Sequence, residues 1–431
     1  MFRTHYAKKV SAELDGHTVT LAGWIHEIRD LGGLTFLLVR DRTGIRQVLI
    51  KKKEAQPDLL ETVKHLVKET AVCATGKVKK SAQAQGGVEI VLEKIDVLGK
   101  VYKKVPLDVT GKVPSDLDTR LDARFIDLRR PEPSAIFRVR AAVQRAFREK
   151  LVELDFQEIN PPTVVSAATE GGADLFHVQY FEKDAFLAQS PQLYKQLAVL
   201  GGIDRAFMTV PVFRAEKHNT AQHLNEVTQM DIEMGFADES DAMDVLENVF
   251  IHMVNTVAKD HADDLRTLNS KISPLRKVKR FTYEKVLDAL KGEYELEFGM
   301  DFPKEAEGKM PGLLGEEAFF ITEWPTQVRA FYSMPFELEP KKCRAFDLMY
   351  KGLEIASGAQ RIHDPELLVK ALKNRALDPE AFESYVDAFR YGAPPHAGWS
   401  IGAERLTMQL CGQKNVRECA LFPRDRHRLL P

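Results

Sequence analysis

The sequence predicts an α+β fold in two parts, on three observations. The first hundred residues hold five short segments rich in Val, Ile, Leu and Thr, and turns containing glycine separate most of them. Beyond residue 134, strand-like runs follow one another over short connections and alternate irregularly with helical patterns, which favours an antiparallel sheet covered by helices. The chain contains neither a G-x-G-x-x-G nor a G-x-x-x-x-G-K-[ST] sequence, so neither a Rossmann fold nor a P-loop is indicated.

The composition is ordinary for a globular chain, with 44% hydrophobic and 29% charged residues among 431. The chain has 61 Lys and Arg residues and 63 Asp and Glu residues. Residues 1–105 contain 19 of the basic residues and 12 of the acidic ones, so the first part is basic and the remainder acidic. A basic first part indicates contact with a polyanion. The four cysteines form no C-x-x-C pair, which favours neither a zinc site nor a disulfide framework. No apolar run near 18 residues and no charged-then-apolar leader occurs, so we expect a cytoplasmic protein that contacts no membrane.

Residues 1–104 are predicted to form a small closed barrel of the OB type, a common binder of single-stranded nucleic acid. The predicted strands are His17–Ile25, Thr35–Arg40, Gln47–Ile50, Ala71–Val78 and Val88–Val97. A helical pattern over Pro57–Glu69 follows the third strand. An SH3-like barrel or a small sandwich is the alternative. Residues 105–133 carry several prolines among mixed charges and are predicted to form a connector.

Residues 134–431 are predicted to form the larger domain. Apolar side chains recur at helical spacing from Ile136 to Leu154. Strands are predicted at 174–189, 207–216, 227–236, 317–332, 343–357 and 395–401, and helices near 191–200, 239–260, 365–374, 379–390 and 402–411.

The densest polar cluster spans residues 213–236, where two strand-like ends enclose a polar middle. On a strand, Arg214 and Glu216 face the same way, and so do Gln229, Asp231 and Glu233. Polar side chains on a face that helices should bury are costly unless they have hydrogen-bond or charge partners. A ligand or an internal network of salt bridges would provide those partners.

A second cluster spans residues 344–361, with Lys351-Gly352 as a plausible turn between two strands. That register sets Glu354 opposite Met349, so Glu354 and Asp347 become diagonal neighbours on one face. Two such carboxylates suit Mg²⁺, and a pair of surface carboxylates is the alternative. Ser357 would join them only through a bulge or a strand end.

A third cluster spans residues 396–410, where a strand leads into a helix that carries Arg405 in its first turn. A cation beside a helix N-terminus is unfavourable by itself, and a bound anion would resolve the conflict. A salt bridge to Glu404 or to another acid is the alternative.

These clusters resemble the signature motifs of class II aminoacyl-tRNA synthetases. Phe213-Arg-Ala-Glu with the following His223-Leu-Asn-Glu is similar to motif 2, Gly402-Ala-Glu-Arg405 to motif 3, and Phe156-Gln-Glu-Ile-Asn-Pro-Pro162 to motif 1. Gln189-Ser-Pro-Gln-Leu-Tyr-Lys195 and Thr169-Glu-Gly-Gly172 are similar to the aspartyl-tRNA synthetases in particular. The resemblance covers essentially the whole chain and is to the compact archaeal type. It implies a homodimer, because the motif 1 proline lies at the dimer interface of the family.

The resemblance implies that ATP and L-aspartate react to aspartyl-adenylate and that the aspartyl group then passes to tRNA. It places Arg214 on the α-phosphate of ATP, Arg405 and His223 on the γ-phosphate, and Glu216 on the adenine amino group. Leu224, Gly402 and Glu354 complete the implied ATP site, and Asp347, Glu354 and Ser357 would hold Mg²⁺. For aspartate it implies Lys195 and Arg361 on the side-chain carboxylate, Asp231 as the residue that orients Lys195, Glu170 and Gln192 on the α-amino group, and Ser357 nearby.

Cationic donors accept a carboxylate through charge-assisted bonds. We expect asparagine to leave two buried cations undercompensated in such a pocket, at a cost of about 3–5 kcal/mol. The open alternatives are an asparaginyl-tRNA synthetase, an inactive RNA-binding paralogue and a tRNA-independent amidating enzyme. Val227 departs from the family pattern, which often has an aromatic residue there to stack on adenine.

In the barrel, the resemblance aligns Phe36, Gln47 and Glu89 with anticodon contacts, and Arg29 and Gln85 would line the same surface. Phe36 offers a stacking plane for a splayed base. Family members restricted to tRNA(Asp) tend to have tryptophan at the position of His26 and lysine at that of Gln85. The resemblance therefore implies tRNA(Asp) as a partner and, through His26, tRNA(Asn) as a second one.

Overall fold

The computed structural model describes residues 2–84, 86–166, 175–217 and 220–431. They form two compact units, residues 1–134 with Pro431 and residues 135–430. The segment expected as a connector, residues 105–133, groups with the first unit.

The first unit contains a closed five-stranded barrel in the order β1-β2-β3-β5-β4. Its elements are β1 (Thr18–Asp30), β2 (Leu34–Asp41), β3 (Gly44–Lys51), α1 (Pro57–Lys64), β4 (Ala71–Lys80) and β5 (Val88–Gly99), followed by α2 (Leu117–Asp122) and α3 (Arg124–Asp127). The predicted OB-type barrel is confirmed, with all five strands and the helix after the third. Helix α1 starts on Pro57, whose fixed φ suits a first helical turn, and ends at Lys64, five residues before the predicted end.

The barrel interior follows from the alternation of apolar residues along the strands. Leu37 and Val39 of β2 are buried in it, whereas Phe36 and Leu38 lie on the outer face. Strand β1 departs from regular pairing once, because Ile25 pairs with Val39 of β2 and Glu27 with Leu38. His26 is the extra residue of this β-bulge, a feature that redirects a side chain.

The second unit is built on an eight-stranded sheet in the order β12-β13-β14-β15-β16-β11-β10-β6. Its strands are β6 (Gln157–Glu158), β10 (Arg205–Phe213), β11 (Glu226–Gly235), β12 (Lys279–Thr282), β13 (Ala318–Pro325), β14 (Lys342–Tyr350), β15 (Leu353–Gln360) and β16 (His396–Gly402). The pairs are antiparallel except β6 with β10 and β12 with β13. Strands β7 (Val164–Val165), β8 (His177–Tyr180) and β9 (Lys183–Leu187) form a small separate sheet.

Helices cover this sheet. They are α4 (Pro131–Glu153), which leads in from the first unit, α5 (Gln192–Leu200), α6 (Glu239–Asp260), α7 (Ala262–Thr267), α8 (Tyr283–Leu290), α9 (Lys304–Leu314), α10 (Pro365–Asn374), α11 (Glu383–Phe389) and α12 (Ala403–Leu410). The predicted strand at 317–332 stops at Pro325, which cannot donate to the ladder. No helix or strand was predicted between residues 262 and 316, where the structure has α7, α8, α9 and β12.

The two faces of the sheet differ in polarity. Met230, Ile232 and Met234 of β11 join the main apolar core with α4 and α6. The intervening Asp231 and Glu233 are buried on the opposite face, as the predicted alternation requires. None of the described helices is long and apolar enough to cross a membrane.

Candidate functional site

The polar face of the sheet forms the floor of a cavity of about 490 Å³. The cavity gathers residues from all three sequence clusters and from α5. The predicted residues that line it are Gln192, Lys195, Arg214, Glu216, His223, Leu224, Asp231, Glu354, Ser357, Arg361, Gly402 and Arg405. Asp347 is buried next to Ser357. Glu170 lies outside the described residues.

Arg214 and Glu216 follow directly after β10, and Asn225 fixes the backbone there. The Arg214 N–H donates to the Asn225 carbonyl at 2.9 Å, and the Asn225 side chain donates to the carbonyls of Arg214 and Glu216 at 2.7 and 3.1 Å. Asn225 is itself held, because its N–H donates to the Arg424 carbonyl at 2.8 Å. Asn225 was not predicted as a site residue, although it lies within the motif 2 segment.

His223 lies at the end of the cavity near α9. Its Nδ1 is 2.6 Å from Thr220 Oγ1 and 3.4 Å from Lys304 Nζ. Helix α9 also brings Glu307 towards this end, where burial and the Glu354 charge raise the pKa of Glu307 to about 7. Neither α9 residue was predicted, since no motif marks that helix.

Lys195 and Arg361 lie on the cavity floor with two carboxylates from β11. Lys195 Nζ donates to Asp231 Oδ1 at 2.7 Å and lies 3.5 Å from Glu233 Oε2. Arg361 holds Glu233 through two hydrogen bonds of 2.9 and 3.2 Å. All four side chains are at most 4% exposed. Asp231 thus lies within hydrogen-bonding distance of Lys195, the residue that it is expected to orient.

This pairing changes the charge count that the sequence suggested. Asp231 was expected beside Lys195, but no internal carboxylate was expected for Arg361, which is paired with Glu233. Burial alone would raise the pKa of Glu233, but the Arg361 and Lys195 charges outweigh it and lower that pKa. These four side chains are therefore a balanced set of two cations and two anions.

Gly398 of β16 makes room for Glu233. A Cβ at Gly398 would lie 2.2 Å from Glu233 Oε2 and 2.4 Å from the Ile232 carbonyl oxygen. We expect Gly398→Ala to lower the free energy of unfolding by about 1–3 kcal/mol, measured by urea denaturation. Gly308→Ala in α9 is the matched control, because a Cβ there meets nothing within 4 Å and a helix interior favours alanine. Equal stability of the two variants would contradict the close approach of Gly398 to Glu233 and Ile232.

A chain of hydrogen-bonded side chains lies behind the end of the cavity that contains Lys195. Gln192 Nε2 donates to Gln196 Oε1 at 2.9 Å, and Tyr385 Oη donates to the same oxygen at 3.0 Å. Gln196 Nε2 in turn lies 2.8 Å from His396 Nε2. Because the nitrogen of Gln192 is engaged, its oxygen is the group that can accept a bond from an ammonium group.

Gln229 is a further cavity residue to which the sequence analysis gave no role. It lines the cavity between Arg214 and Asp231 on the polar face of β11. Its Oε1 atom is buried and has no hydrogen-bond partner among the described residues. A buried acceptor without a partner is costly, so Gln229 is suited to a donor on a substrate.

The hairpin of β14 and β15 has the predicted turn and one bulge. Glu354 pairs with Met349 as expected, and the register then shifts so that Asp347 pairs with Ser357. This bulge is the condition under which Ser357 was expected to join the two carboxylates on one face. Glu354 and Ser357 line the cavity.

Arg329 is the principal residue of this region that the sequence analysis missed. Its guanidinium donates to both oxygens of Asp347, with a 2.9 Å bond from Nη1 to Oδ2, and to Ser357 Oγ at 2.7 Å. It also lies over the Trp324 ring, 4.6 Å from its centroid. Burial raises the pKa of Asp347 to about 6, although Arg329 acts in the opposite direction.

The donor set has the oxygen chemistry that Mg²⁺ prefers, but the donors differ in availability. Both Asp347 oxygens are engaged by Arg329, whereas Glu354 is about one-third exposed. Within the described ranges, no three His, Cys, Asp or Glu side chains are grouped closely enough to hold a metal ion. Glu354 and Ser357, together with phosphate oxygens, fit a cation, and a role for Asp347 as a ligand would require Arg329 to release it.

Arg405 follows Gly402 in the first turn of α12 and faces Glu354. Its Nη1 lies 3.3 Å from the Glu354 carbonyl and 3.7 Å from Glu354 Oε2. Glu404, the alternative partner named in the sequence analysis, points elsewhere and pairs with Arg140 at 2.6 Å. The acid beside Arg405 is therefore Glu354, and both line the cavity.

Four of the predicted anticodon residues, Arg29, Phe36, Gln47 and Glu89, lie on the side of their strands that faces away from the barrel core. Arg29 pairs with Phe36 across β1 and β2, and Gln47 lies opposite Leu38 on β3. Gln47 Nε2 donates to Glu89 Oε2 at 3.0 Å. His26 is half-buried at the bulge in β1, and Gln85 lies outside the described residues.

Comparisons with known proteins agree with this architecture. Residues 116–426 match the family described as class II tRNA synthetases (D, K and N), and residues 19–98 match the OB-fold nucleic acid binding domain. The chain is 47% identical over 431 residues to a protein of Methanothermobacter thermautotrophicus named aspartate–tRNA(Asp/Asn) ligase. The matched region covers 100% of this chain and 98% of that protein. A protein of the same name from Methanocorpusculum labreanum is 50% identical over 428 residues, covering 98% and 99%.

Two solved structures share the whole fold. Asparaginyl-tRNA synthetase from Pyrococcus horikoshii, complexed with asparaginyl-adenylate, has a TM-score of 0.95 and 32% identity over 100% of both chains. Aspartyl-tRNA synthetase from Entamoeba histolytica has a TM-score of 0.89 and 31% identity over 99% of this chain and 92% of that one. With the family match over most of its length, this chain belongs to the class II tRNA synthetases of the D, K and N group.

Proposed function

We propose that this protein is an aspartate–tRNA ligase that charges tRNA(Asp) and also tRNA(Asn). The observation that carries the choice of amino acid is the placement of Lys195 and Arg361, two buried cationic donors, on the floor of the cavity. The name aspartate–tRNA(Asp/Asn) ligase of the archaeal relatives supports the same choice.

The first reaction needs positioning and charge rather than a base. An α-carboxylate oxygen of aspartate attacks the α-phosphorus of ATP, and the bond to the β-phosphate breaks, giving aspartyl-adenylate and pyrophosphate. Arg214, aimed into the cavity from the end of β10, stabilises the charge that builds up on the α-phosphate. His223 and Arg405 lie where the outer phosphates would be held, and Glu216 would read the adenine amino group.

In the second reaction, a hydroxyl of the terminal ribose of tRNA attacks the acyl carbon of the adenylate. The bond between that carbon and the phosphate oxygen breaks, and AMP leaves. Leu224 and Gly402 shape the nucleotide end of the cavity.

The amino acid is proposed to lie with its side-chain carboxylate against Lys195 and Arg361. Asp231 holds Lys195 in position through the 2.7 Å bond. The Gln192 oxygen would accept a bond from the α-amino group, and Glu170 is assigned to the same group from the resemblance. Ser357 completes this end of the site.

Mg²⁺ is the proposed cofactor. Glu354 and Ser357 would hold it, with Asp347 as a third donor if Arg329 releases it. When bound, the cation neutralises charge on the phosphates of ATP. The rest of the catalytic charge comes from Arg214 and Arg405.

We assign residues 1–104 to anticodon binding, 105–133 to a linker and 134–431 to catalysis. Phe36 would stack on an unpaired base, while Arg29, Gln47, Gln85 and Glu89 would contact bases or the backbone. A homodimer formed through the motif 1 segment at residues 156–162 and a cytoplasmic location complete the proposal.

Pyrophosphate exchange with aspartate or asparagine tests the choice of amino acid. We expect aspartate to support exchange at least 100-fold better by kcat/KM, about 3 kcal/mol in transition-state binding. Exchange should stop when EDTA removes Mg²⁺ and resume when the metal is restored. The similarity to a structure holding asparaginyl-adenylate makes asparagine the second candidate substrate. Preferential exchange with asparagine would refute the choice of aspartate and indicate an asparagine–tRNA ligase.

Charging of transcripts tests the choice of tRNA. We expect kcat/KM values for tRNA(Asp) and tRNA(Asn) to agree within about tenfold, because relaxed use requires that no strong base contact discriminates between them. One good discriminating base contact is worth ~1–3 kcal/mol, which is roughly 5- to 160-fold. A tRNA from an unrelated amino acid is the control. A preference for tRNA(Asp) of a hundredfold or more would refute relaxed tRNA use.

A further inference from the structure

The bulge in β1 frees the His26 side chain from the regular alternation of the strand, so its contacts determine its direction. His26 has no partner in the regular ladder with β2, since pairing passes from Ile25 to Glu27. On the other side of β1, the last strand pair with β4 is Trp24 with Ala71. A bulged residue is released from the alternation of the pleat, so hydrogen bonds decide where its ring points.

Arg40 of β2 makes the contact that orients the ring. Its Nη1 lies 2.8 Å from His26 Nδ1. A guanidinium group has no acceptor, so Arg40 donates and Nδ1 must be unprotonated. The ring proton of the neutral imidazole is then on Nε2, for which the described part of the chain provides no hydrogen-bond partner.

Arg40 is itself locked in place. Its side chain is 6% exposed, and Nη2 donates to both oxygens of Glu69 at 2.9 and 2.8 Å. Glu69, which is 3% exposed, also accepts a 2.8 Å bond from Arg129, and Arg129 lies over the Trp24 ring at 4.6 Å. The backbone of Glu69 is tied to β1, because its N–H donates to the Ile25 carbonyl at 2.7 Å.

The burial of His26 and the charges around it favour the neutral form of the ring. Burial and the Arg40 charge lower the pKa of His26, and Lys68 adds to that effect. Glu69 and Glu27 act in the opposite direction without overcoming it. Protonation of Nδ1 would in addition place an N–H against the Arg40 donor.

We propose that Arg40, held by Glu69, is a positioning residue that fixes His26 as a neutral donor, with Nε2–H directed at an anticodon base, and that this fixed donor accounts for the use of both tRNAs. The inference rests on the proposed relaxed tRNA specificity. By the genetic code, the anticodons for aspartate and asparagine differ only in their third nucleotide, cytidine in one and uridine in the other.

The chemistry of these two bases explains why a donor would tolerate both. Cytosine and uracil share the O2 acceptor and differ at two other positions. Position 4 carries an amino group in cytosine and a carbonyl oxygen in uracil, and N3 is an acceptor in cytosine and a donor in uracil. A group that only donates can bond O2 of either base with equal geometry. An imidazole free to change tautomer could also present an acceptor, and an acceptor at position 4 would favour cytidine.

Two measurements on the full-length protein test the proposal. Nitrogen-15 NMR of labelled histidine, with His26 assigned through His26→Gln, reports the tautomer. We expect an unprotonated Nδ1 and a protonated Nε2 at pH 7–8. In Arg40→Met, the His26 signals should show mixed tautomers or ordinary titration. A protonated Nδ1 in the unmodified protein would overturn the proposal, whatever tRNAs the enzyme charges.

The second measurement is the ratio of kcat/KM for tRNA(Asp) and tRNA(Asn). Arg40→Met should shift that ratio towards tRNA(Asp) by about tenfold, the worth of one base contact, and Arg40→Lys should restore it in part. A ratio that stays within twofold, in a folded variant whose His26 tautomer has changed, would overturn the link to specificity. If circular dichroism shows that Arg40→Met does not fold, Glu69→Gln takes its place, because it weakens the contact that holds the Arg40 guanidinium. The same two readouts, the His26 tautomer and the kcat/KM ratio, then decide the proposal.

The two proposals fail separately. Unmodified enzyme that charges tRNA(Asp) alone refutes relaxed specificity and removes the second half of the inference. The NMR result still decides whether Arg40 fixes the His26 tautomer, because that measurement involves no tRNA.

Discussion

Arg214→Ala is expected to lower the rate of aspartate-dependent pyrophosphate exchange by about 10³-fold while the protein stays folded. The guanidinium lines the cavity, and none of the described residues forms an ion pair with it. Its removal therefore leaves no buried acid unpaired, and Asn225 still holds the backbone through the carbonyls of Arg214 and Glu216. Charge that develops on the α-phosphate would lose its main stabilising partner.

Exchange rates and a thermal unfolding curve measure the two halves of this prediction. Arg145→Ala on α4 is the matched control, because Arg145 is exposed and pairs only loosely with Glu149 at 3.6 Å. Arg214→Lys should recover part of the rate, since a lysine keeps the charge but loses the planar fork of donors. Near-normal turnover in Arg214→Ala would remove Arg214 from the catalytic role.

Much of the site could be predicted because its residues follow local periodicity. Alternation along β11 places Asp231 and Glu233 on one face and Met230 and Ile232 on the other, and the structure has this arrangement. The turn at Lys351-Gly352 likewise determined that Glu354 pairs with Met349. Such relations depend on neighbours within a few residues, which the sequence displays directly.

The contacts that were missed join segments distant in sequence. Arg329 reaches Asp347 and Ser357 from the segment after β13, and Lys304 reaches His223 from α9. No spacing rule relates such pairs, because the packing of the whole domain brings them together. The pairing of Glu233 with Arg361 spans 128 residues and was missed for the same reason, so Arg361 was expected to lack a carboxylate partner within the protein.

Glu233→Gln is expected to lower the free energy of unfolding by about 3–5 kcal/mol, because it leaves Arg361 buried without a carboxylate. The pKa of Glu233 is lowered in the folded protein. Its stabilising effect is therefore fully present above its ordinary pKa of 4.5 and is lost as the pH falls below that value. The difference between the two proteins should be large at pH 7 and should shrink below about pH 4.5.

Urea denaturation at several pH values measures this difference. Glu153→Gln is the matched control, since Glu153 is exposed and forms a surface pair with Lys150 at 2.7 Å, so its loss should change stability little. A stability difference that does not depend on pH would show that Glu233 acts through packing rather than through its charge.

The same variant tests whether Arg361 is directed at the substrate. With Glu233 neutral, the side-chain carboxylate of aspartate becomes the available partner for Arg361, so saturating aspartate should raise the melting temperature of Glu233→Gln more than that of the unmodified protein. Asparagine has no side-chain carboxylate and should not reproduce the difference. Because ligand stabilisation grows as RT ln(1 + [L]/Kd), the comparison separates a pocket that binds a carboxylate from one in which Glu233 and Arg361 only hold the sheet together. Equal stabilisation of both proteins by aspartate would indicate that the Arg361 guanidinium does not contact the side chain of the substrate.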